Sequence, residues 1–129
     1  MEIKIAAAAL MRADGATLLV RKRGTSSFMQ PGGKIDAGET AIQALCRELH
    51  EELGLKIEHD KPHYLGKFSA PAANETGATV IAEIFQIETD AKIEPRAEIE
   101  DARWVFTTDT DDLELAPLTR DQVLPLIWK

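Results

Sequence analysis

The 129-residue sequence is poor in cysteine and aromatic residues and has no long apolar run. Its single cysteine, Cys46, can form neither an internal disulfide nor a structural zinc site by itself. No apolar stretch approaches the roughly 20 residues of a membrane-spanning helix. The Ala-rich segment after residues 1–5 lacks the basic leader of a secretory signal. These absences predict a cytoplasmic protein without a membrane partner.

Positive charge is also scarce, since 15 Lys and Arg residues stand against 22 Asp and Glu residues, a net charge of −7. Binding along a nucleic-acid backbone requires a cationic face, so this balance argues against a nucleic-acid partner. A small phosphorylated molecule is not excluded, because divalent cations can lie between carboxylates and phosphates. With 44% hydrophobic and 29% charged residues, the composition predicts one globular domain over residues 1–129.

The pattern of apolar segments and turn residues predicts an α/β fold. Strands are predicted over residues 3–11, 17–22, 64–69, 79–87 and 103–106. The first two are expected to pair through the Asp14-Gly15 turn, and the Gly-, Ser- and Pro-rich residues 24–38 are expected to form a loop. These strands predict a mixed β-sheet, sandwiched between the α-helices described next.

Two helices are predicted around these strands. The first covers residues 40–53, where leucine and isoleucine recur at helical spacing, and Gly54 ends it. The second covers residues 118–128, and Pro125 is expected to bend it because proline is awkward inside a helix.

Three acids share one edge of the first predicted helix. Its apolar side chains fall within one arc about 80° wide, and Glu48, Glu51 and Glu52 form a second arc beside it. Like charges at this spacing repel by about 0.2–0.5 kcal/mol per pair on an exposed helix. Near the helix C-terminus they also oppose the helix dipole. Selection for stability alone would avoid this arrangement.

A divalent cation would remove the conflict, since carboxylate oxygens are ligands that Mg²⁺ and Mn²⁺ prefer. The turn Pro31-Gly32-Gly33-Lys34 also fits a ligand site, because glycine lets the backbone approach closely. The alternative is an acidic helix face in solvent, and the spacing alone does not separate the two.

Residues 33–55, GKIDAGETAIQALCRELHEELGL, resemble the Nudix box at every fixed position. The matching positions are Gly33, Glu39, Arg47, Glu48, Leu49, Glu51, Glu52, Gly54 and Leu55. With average residue usage, a chance match at the Gly, Glu and Arg positions has odds below about one in 10⁸. The resemblance implies the Nudix fold and a Mg²⁺-dependent hydrolase, with Mn²⁺ as a second candidate metal.

The same resemblance assigns roles within the box. Glu48 and Glu52 are expected as the central metal ligands, with the Gly32 carbonyl as a backbone ligand. Glu51 is expected to share the site, and the resemblance assigns catalytic roles to Glu51 and Glu52. Glu39 and Arg47 resemble the ion pair that holds the loop against the helix in this family, and such a pair would keep the ligand carboxylates in place.

An additional acid is expected from the loop before the predicted Trp-Val strand. Glu98 is favoured as a catalytic general base because of its spacing from Trp104, with Glu100 as the nearest competitor. The alternative for either residue is a loop acid in solvent.

Substrate contacts are expected outside the helix. Arg23 stands where relatives carry a phosphate-binding arginine, and Arg21 shares its strand face. Lys34 follows the glycine turn and is expected near phosphate. Glu83 is expected either to contact a base or sugar or to occupy the solvated end of its strand.

The resemblance implies a pyrophosphohydrolase that acts on a small nucleotide. The short chain most resembles MutT-like members, which convert a nucleoside or deoxynucleoside triphosphate to the monophosphate and pyrophosphate. An ADP-ribose or nucleotide-sugar pyrophosphatase is the alternative, and a non-catalytic nucleotide-sensing module is a rival of another class. Many relatives form homodimers, although no part of the sequence indicates an interface.

Overall fold

The computed structural model describes residues 1–128. One mixed sheet contains six strands, which are β1 (Glu2–Met11), β2 (Thr17–Lys22), β3 (Gly32–Lys34), β4 (His63–Pro71), β5 (Thr79–Glu88) and β6 (Ile99–Val105). The order is β4-β5-β1-β2-β6, and β3 pairs with β1. Only the β1–β5 pairing is parallel; the other pairings are antiparallel. The predicted mixed sheet is confirmed.

Helix α1 (Ala41–Leu53) begins and ends with local signals that the sequence carries. Thr40 caps its first turn, because the Thr40 hydroxyl accepts from the Gln43 N–H while the Gln43 side chain accepts from the Thr40 N–H. Gly54 ends it in the left-handed conformation at φ 70°. The boundaries agree with the predicted helix over residues 40–53.

Apolar side chains cover both faces of the sheet. On one face, the leucines of α1 pack with Phe85 and Ile87 of β5. On the other face, Ile84 of the same strand packs with Leu118 and Val123 from the C-terminal segment. This alternation along β5 is the two-residue period of a strand buried on both sides. The expected sandwich of a sheet between helices is confirmed.

The C-terminal segment differs in detail from the single bent helix that was predicted. A π-helical turn (Thr119–Val123) leads into a short helix α2 (Leu124–Ile127). Pro125 therefore lies in the first turn of α2, directly after the π-helical turn. Within residues 1–128, no helix combines the length and apolar character needed to cross a membrane.

Two strand predictions need correction. The expected loop over residues 24–38 contains β3, which has no apolar pattern and forms because β1 offers it a partner. β6 begins at Ile99 rather than Arg103, so Glu100 lies in a strand. Strand partners distant in the sequence decided both corrections. The predicted pairing of β1 with β2 is confirmed at Met11 and Thr17, and β2 also pairs along its length with β6.

Candidate active site

The turn at Gly32 and Gly33 is packed too closely for any side chain. Gly32 has φ +149°, and a Cβ there would overlap the carbonyl oxygen of Ala6 in the neighbouring strand. A Cβ on Gly33 would lie 2.6 Å from Oε2 of Glu48. The first glycine therefore allows β3 to pair with β1, and the second admits the Glu48 carboxylate against the backbone.

Glu52 carries a buried carboxylate without a partner. The residue is 2% exposed, and neither carboxylate oxygen accepts a hydrogen bond from residues 1–128. Burial, reinforced by the nearby charge of Glu48, raises the pKa of Glu52 to about 7. An unpaired buried carboxylate is costly, so this position calls for a proton or a cation.

Glu48 lies one helical turn before Glu52 and is also largely buried, with 16% of its side chain exposed. Its Oε1 accepts a hydrogen bond of 2.8 Å from Nη1 of Arg47. Burial is the main reason that the pKa of Glu48 is raised, and Arg47 opposes this effect. Glu48 and Glu52 thus form an electrostatically strained pair beside the glycine turn.

Arg47 connects the loop to the helix. Its Nε and Nη2 donate to the two oxygens of Glu39 at 2.8 and 2.9 Å, and Nη2 also donates to the Lys34 carbonyl at 3.1 Å. These bonds, with a further one from the Asp36 N–H, lower the pKa of Glu39 to about 2. Arg47 therefore joins Glu39 of the loop to Glu48 of the helix through charge-assisted hydrogen bonds.

Glu51 is the box acid that the structure does not bring to the turn. Its side chain is 53% exposed and lies 3.5 Å from Nη1 of Arg47. Within residues 1–128, no three His, Cys, Asp or Glu side chains are grouped closely enough to hold a metal ion as they stand. Of the three box acids, only Glu48 and Glu52 therefore have largely buried side chains.

An open cleft of about 520 Å³ is lined by Glu48, the less buried member of the acid pair. The cationic side chains that line it are Lys22 at the end of β2, Arg23 directly after it and Lys34 of β3. Arg23 forms an ion pair of 3.3 Å with Glu100, and Lys22 lies 3.9 Å from Oε1 of Glu98. The same cleft is lined by four acids, which are Asp36, Glu48, Glu75 and Glu98. A cleft lined by both cations and carboxylates can accept phosphate groups together with a divalent cation.

Lys22 is a cleft residue that the sequence analysis missed. It follows Leu18 and Val20 at every second position, and both of these belong to the apolar layer under α1. This alternation was a usable signal for its direction. Arg21 faces the other way, where it donates to the Thr25 carbonyl at 2.9 Å. The structure therefore does not bring Arg21 to the cleft.

The additional acids are also distinguished by position. Glu98 lines the cleft and contributes to the raised pKa of Glu52, after burial and Glu48. Its carbonyl accepts from the Arg23 N–H at 2.7 Å, which fixes the backbone there. Glu100 is the residue omitted from the β2–β6 register at the irregularity next to Lys22, and its carboxylate is committed to Arg23.

Glu83 lies outside the cleft. Its Oε1 accepts a hydrogen bond of 2.6 Å from the Tyr64 hydroxyl, and Lys67 is 3.9 Å from its other oxygen. These partners belong to β4, the edge strand that β5 and β1 separate from β2. The structure thus places Glu83 in a cross-strand polar pair rather than with the other predicted site residues.

Sequence comparisons agree on one family. The profile of the NUDIX domain matches residues 2–127. An RNA pyrophosphohydrolase of Pseudoalteromonas atlantica is 51% identical over 47 residues, which is 36% of this chain and 27% of that protein. Another from Aeromonas hydrophila is 49% identical over 45 residues, 35% of this chain and 26% of that protein. The matches span about a quarter of the length of these curated relatives.

Solved structures show the same fold. A Nudix hydrolase family member from Chromobacterium violaceum is 30% identical with a TM-score of 0.68, covering 89% of this chain and 69% of that one. A MutT protein of Aliivibrio salmonicida or Vibrio cholerae is 22% identical with a TM-score of 0.72, covering 98% of this chain and 97% of that one. A UDP-X diphosphatase is 21% identical with a TM-score of 0.77, covering 99% of this chain and 62% of that one.

Proposed function

Because the chain belongs to the Nudix family of pyrophosphohydrolases, we propose that it uses Mg²⁺ to hydrolyse a diphosphate linkage in a nucleotide. The favoured substrate is a nucleoside or deoxynucleoside triphosphate, which yields the monophosphate and pyrophosphate. The observation that carries this proposal is the buried, unpartnered carboxylate of Glu52, one helical turn from Glu48, which packs against Gly33 and lines the cleft.

The residues at the turn fit a divalent cation. Glu52 has two buried oxygens without partners, and Glu48 lies against Gly33 with no intervening side chain. These carboxylates and the Gly32 carbonyl would hold Mg²⁺ or Mn²⁺, with Glu51 joining after its exposed side chain turns inward. When bound, the cation supplies charge neutralisation at the phosphates and lowers the pKa of the attacking water.

The remaining steps belong to side chains of the chain itself. Lys22, Arg23 and Lys34 bind phosphate oxygens and orient the diphosphate in the cleft. Water attacks one phosphorus, the bridging P–O bond breaks, and Glu98 accepts the proton of the water as general base. Pyrophosphate is the leaving group when the attacked phosphorus is the one that carries the nucleoside.

The second candidate substrate is the triphosphorylated end of an RNA. It is favoured by the similarity of about half the residues over 47 positions to RNA pyrophosphohydrolases. The net charge of −7 opposes binding of a long polyanion, so contacts would be confined to the RNA end. The substrate panel also includes ADP-ribose and nucleotide sugars. Binding without turnover is the outcome that a non-catalytic nucleotide-sensing module would give.

The decisive experiment compares Glu52→Gln and Glu48→Gln with the wild type on this panel in Mg²⁺. Both variants should lose about 100-fold or more in kcat, because a neutral amide is a poor ligand for Mg²⁺. Glu58→Gln makes the same chemical change at an exposed position beyond the helix and should not alter turnover. Full activity of Glu52→Gln would refute the metal site, whereas nucleotide binding by a wild type without turnover would favour the sensing module.

A further inference from the structure

A narrow groove continues from the cleft toward the C-terminal segment. Its nearer part, of about 140 Å³, shares Lys22, Gly33 and Lys34 with the cleft. Its farther part, of about 60 Å³, shares a wall with the nearer one, formed by Ile5, Met29, Gln30, Ala73 and Val80. A molecule with phosphates in the cleft can therefore extend into a smaller, largely aliphatic recess.

The far end of the groove contains one buried polar side chain with unused donors. Gln30 is 5% exposed, and its Oε1 accepts a hydrogen bond of 2.7 Å from the Thr119 hydroxyl. Its Nε2 is buried and has no hydrogen-bond partner within residues 1–128. Buried amide donors are normally satisfied, so an unpaired Nε2 in a recess indicates a missing acceptor.

The backbone holds Gln30 rigidly. Met29 exchanges two hydrogen bonds with Val20 at 2.8 and 2.9 Å, and the Pro31 carbonyl accepts from the Ala8 N–H at 2.9 Å. Thr119 orients the side-chain amide from the opposite wall. A donor fixed in this way can discriminate between groups rather than adapt to them.

The distance between Gln30 and the glycine turn suits a nucleotide. Gly33 lies three residues farther along an extended segment, which corresponds to about 10 Å. A sugar can bridge that gap, with phosphates in the cleft and a flat base against the aliphatic surface formed by Ile5 and Val80 of the neighbouring strands β1 and β5. The base edge then faces the Gln30 amide.

We propose that this groove binds the base of the nucleotide and that the Gln30 amide nitrogen donates a hydrogen bond to a carbonyl oxygen on the base edge. The inference rests on the proposed function and adds to it a substrate class, namely nucleotides with keto bases in preference to those with amino bases. An exocyclic amino group in the same position would bring two donors together and leave both unpaired.

The experiment uses pairs of nucleotides that differ in this group and in whether the adjacent ring nitrogen carries a hydrogen. Inosine and adenosine nucleotides carry a carbonyl or an amino group at one ring position, and uridine and cytidine nucleotides form a second such pair. Binding of the monophosphates is measured by calorimetry without metal, and kcat/KM is measured for the triphosphates with Mg²⁺. The wild type should favour the keto member of each pair by about tenfold.

Three variants separate specificity from folding. Gln30→Leu should reduce the ratio to about one, because it removes the unpaired donor. It also leaves the buried Thr119 hydroxyl without its acceptor, so the melting temperature is measured alongside the ratio to separate any loss of stability from the change in preference. Gln30→Glu offers only acceptors and should reverse the preference toward the amino member. Thr119→Val frees the amide to rotate and should reduce the ratio without reversing it, which marks Thr119 as a positioning residue.

Equal binding of the two members by the wild type would overturn the proposal, as would an unchanged preference in Gln30→Leu. A wild-type preference for amino bases would also overturn it, since the amide would then present its oxygen. Selective binding of keto monophosphates without hydrolysis of any triphosphate would support the groove and refute the proposed enzymatic function.

Discussion

Replacing Glu52 by glutamine should stabilise the metal-free protein at neutral pH and above. Burial raises the pKa of Glu52 from 4.5 to about 7, and each pKa unit corresponds to about 1.4 kcal/mol. The charged carboxylate therefore lowers the free energy of unfolding by about 3 kcal/mol once the pH is above both values. Glutamine has nearly the same shape and no charge, so it removes this cost, although its amide also lacks partners.

The pH range of the effect follows from the direction of the shift. Between about pH 4.5 and 7 the folded protein binds more protons at Glu52 than the unfolded chain does, so stability falls as pH rises. Below pH 4.5 the carboxyl group is protonated in both states and the destabilisation disappears. The advantage of Glu52→Gln should thus be absent near pH 4, grow up to pH 7 and remain constant above it.

The assay is urea unfolding in EDTA at a series of pH values, for the wild type, Glu52→Gln and Glu51→Gln. Glu51 lies next to Glu52 but is more than half exposed, so its replacement should change stability by less than about 0.5 kcal/mol. The conclusion that Glu52 is a buried, unpaired carboxylate would be refuted by a Glu52→Gln protein less stable than the wild type at pH 8. A gain in the free energy of unfolding that does not vary with pH would refute it as well.

Three further predictions concern the metal and the cleft. At ten times its dissociation constant, Mg²⁺ should stabilise the wild type by about 1.4 kcal/mol, while calorimetric melting should show no such gain for Glu52→Gln. Gly33→Ala should weaken Mg²⁺ binding at least about tenfold in titrations, because its Cβ displaces the Glu48 carboxylate; undiminished affinity would contradict the close packing. Lys22→Gln should raise KM about tenfold in steady-state assays, whereas replacement of the exposed Lys56 by glutamine should not. Equal KM values for Lys22→Gln and the wild type would contradict a role of Lys22 in substrate binding at the cleft.

Secondary structure with local causes was predicted well. The Thr40 cap, the spacing of the leucines and Gly54 all act within a few residues, and they define α1 to within one residue. The box motif likewise indicated which turn and which helix would meet. Strand β3 was missed because a three-residue Gly-Gly-Lys strand has no pattern of its own and exists only through its pairing with β1.

The sequence by itself determined that Glu48, Glu51 and Glu52 share one helical edge, because the helical period depends only on local backbone geometry. The helical spacing alone could not rank them, although the resemblance to the Nudix box placed Glu48 and Glu52 ahead of Glu51. The tertiary structure buries Glu52, packs Glu48 on Gly33 and leaves Glu51 in solvent. Packing between distant segments made that distinction, since the desolvation of a carboxylate depends on which surfaces the fold brings against it.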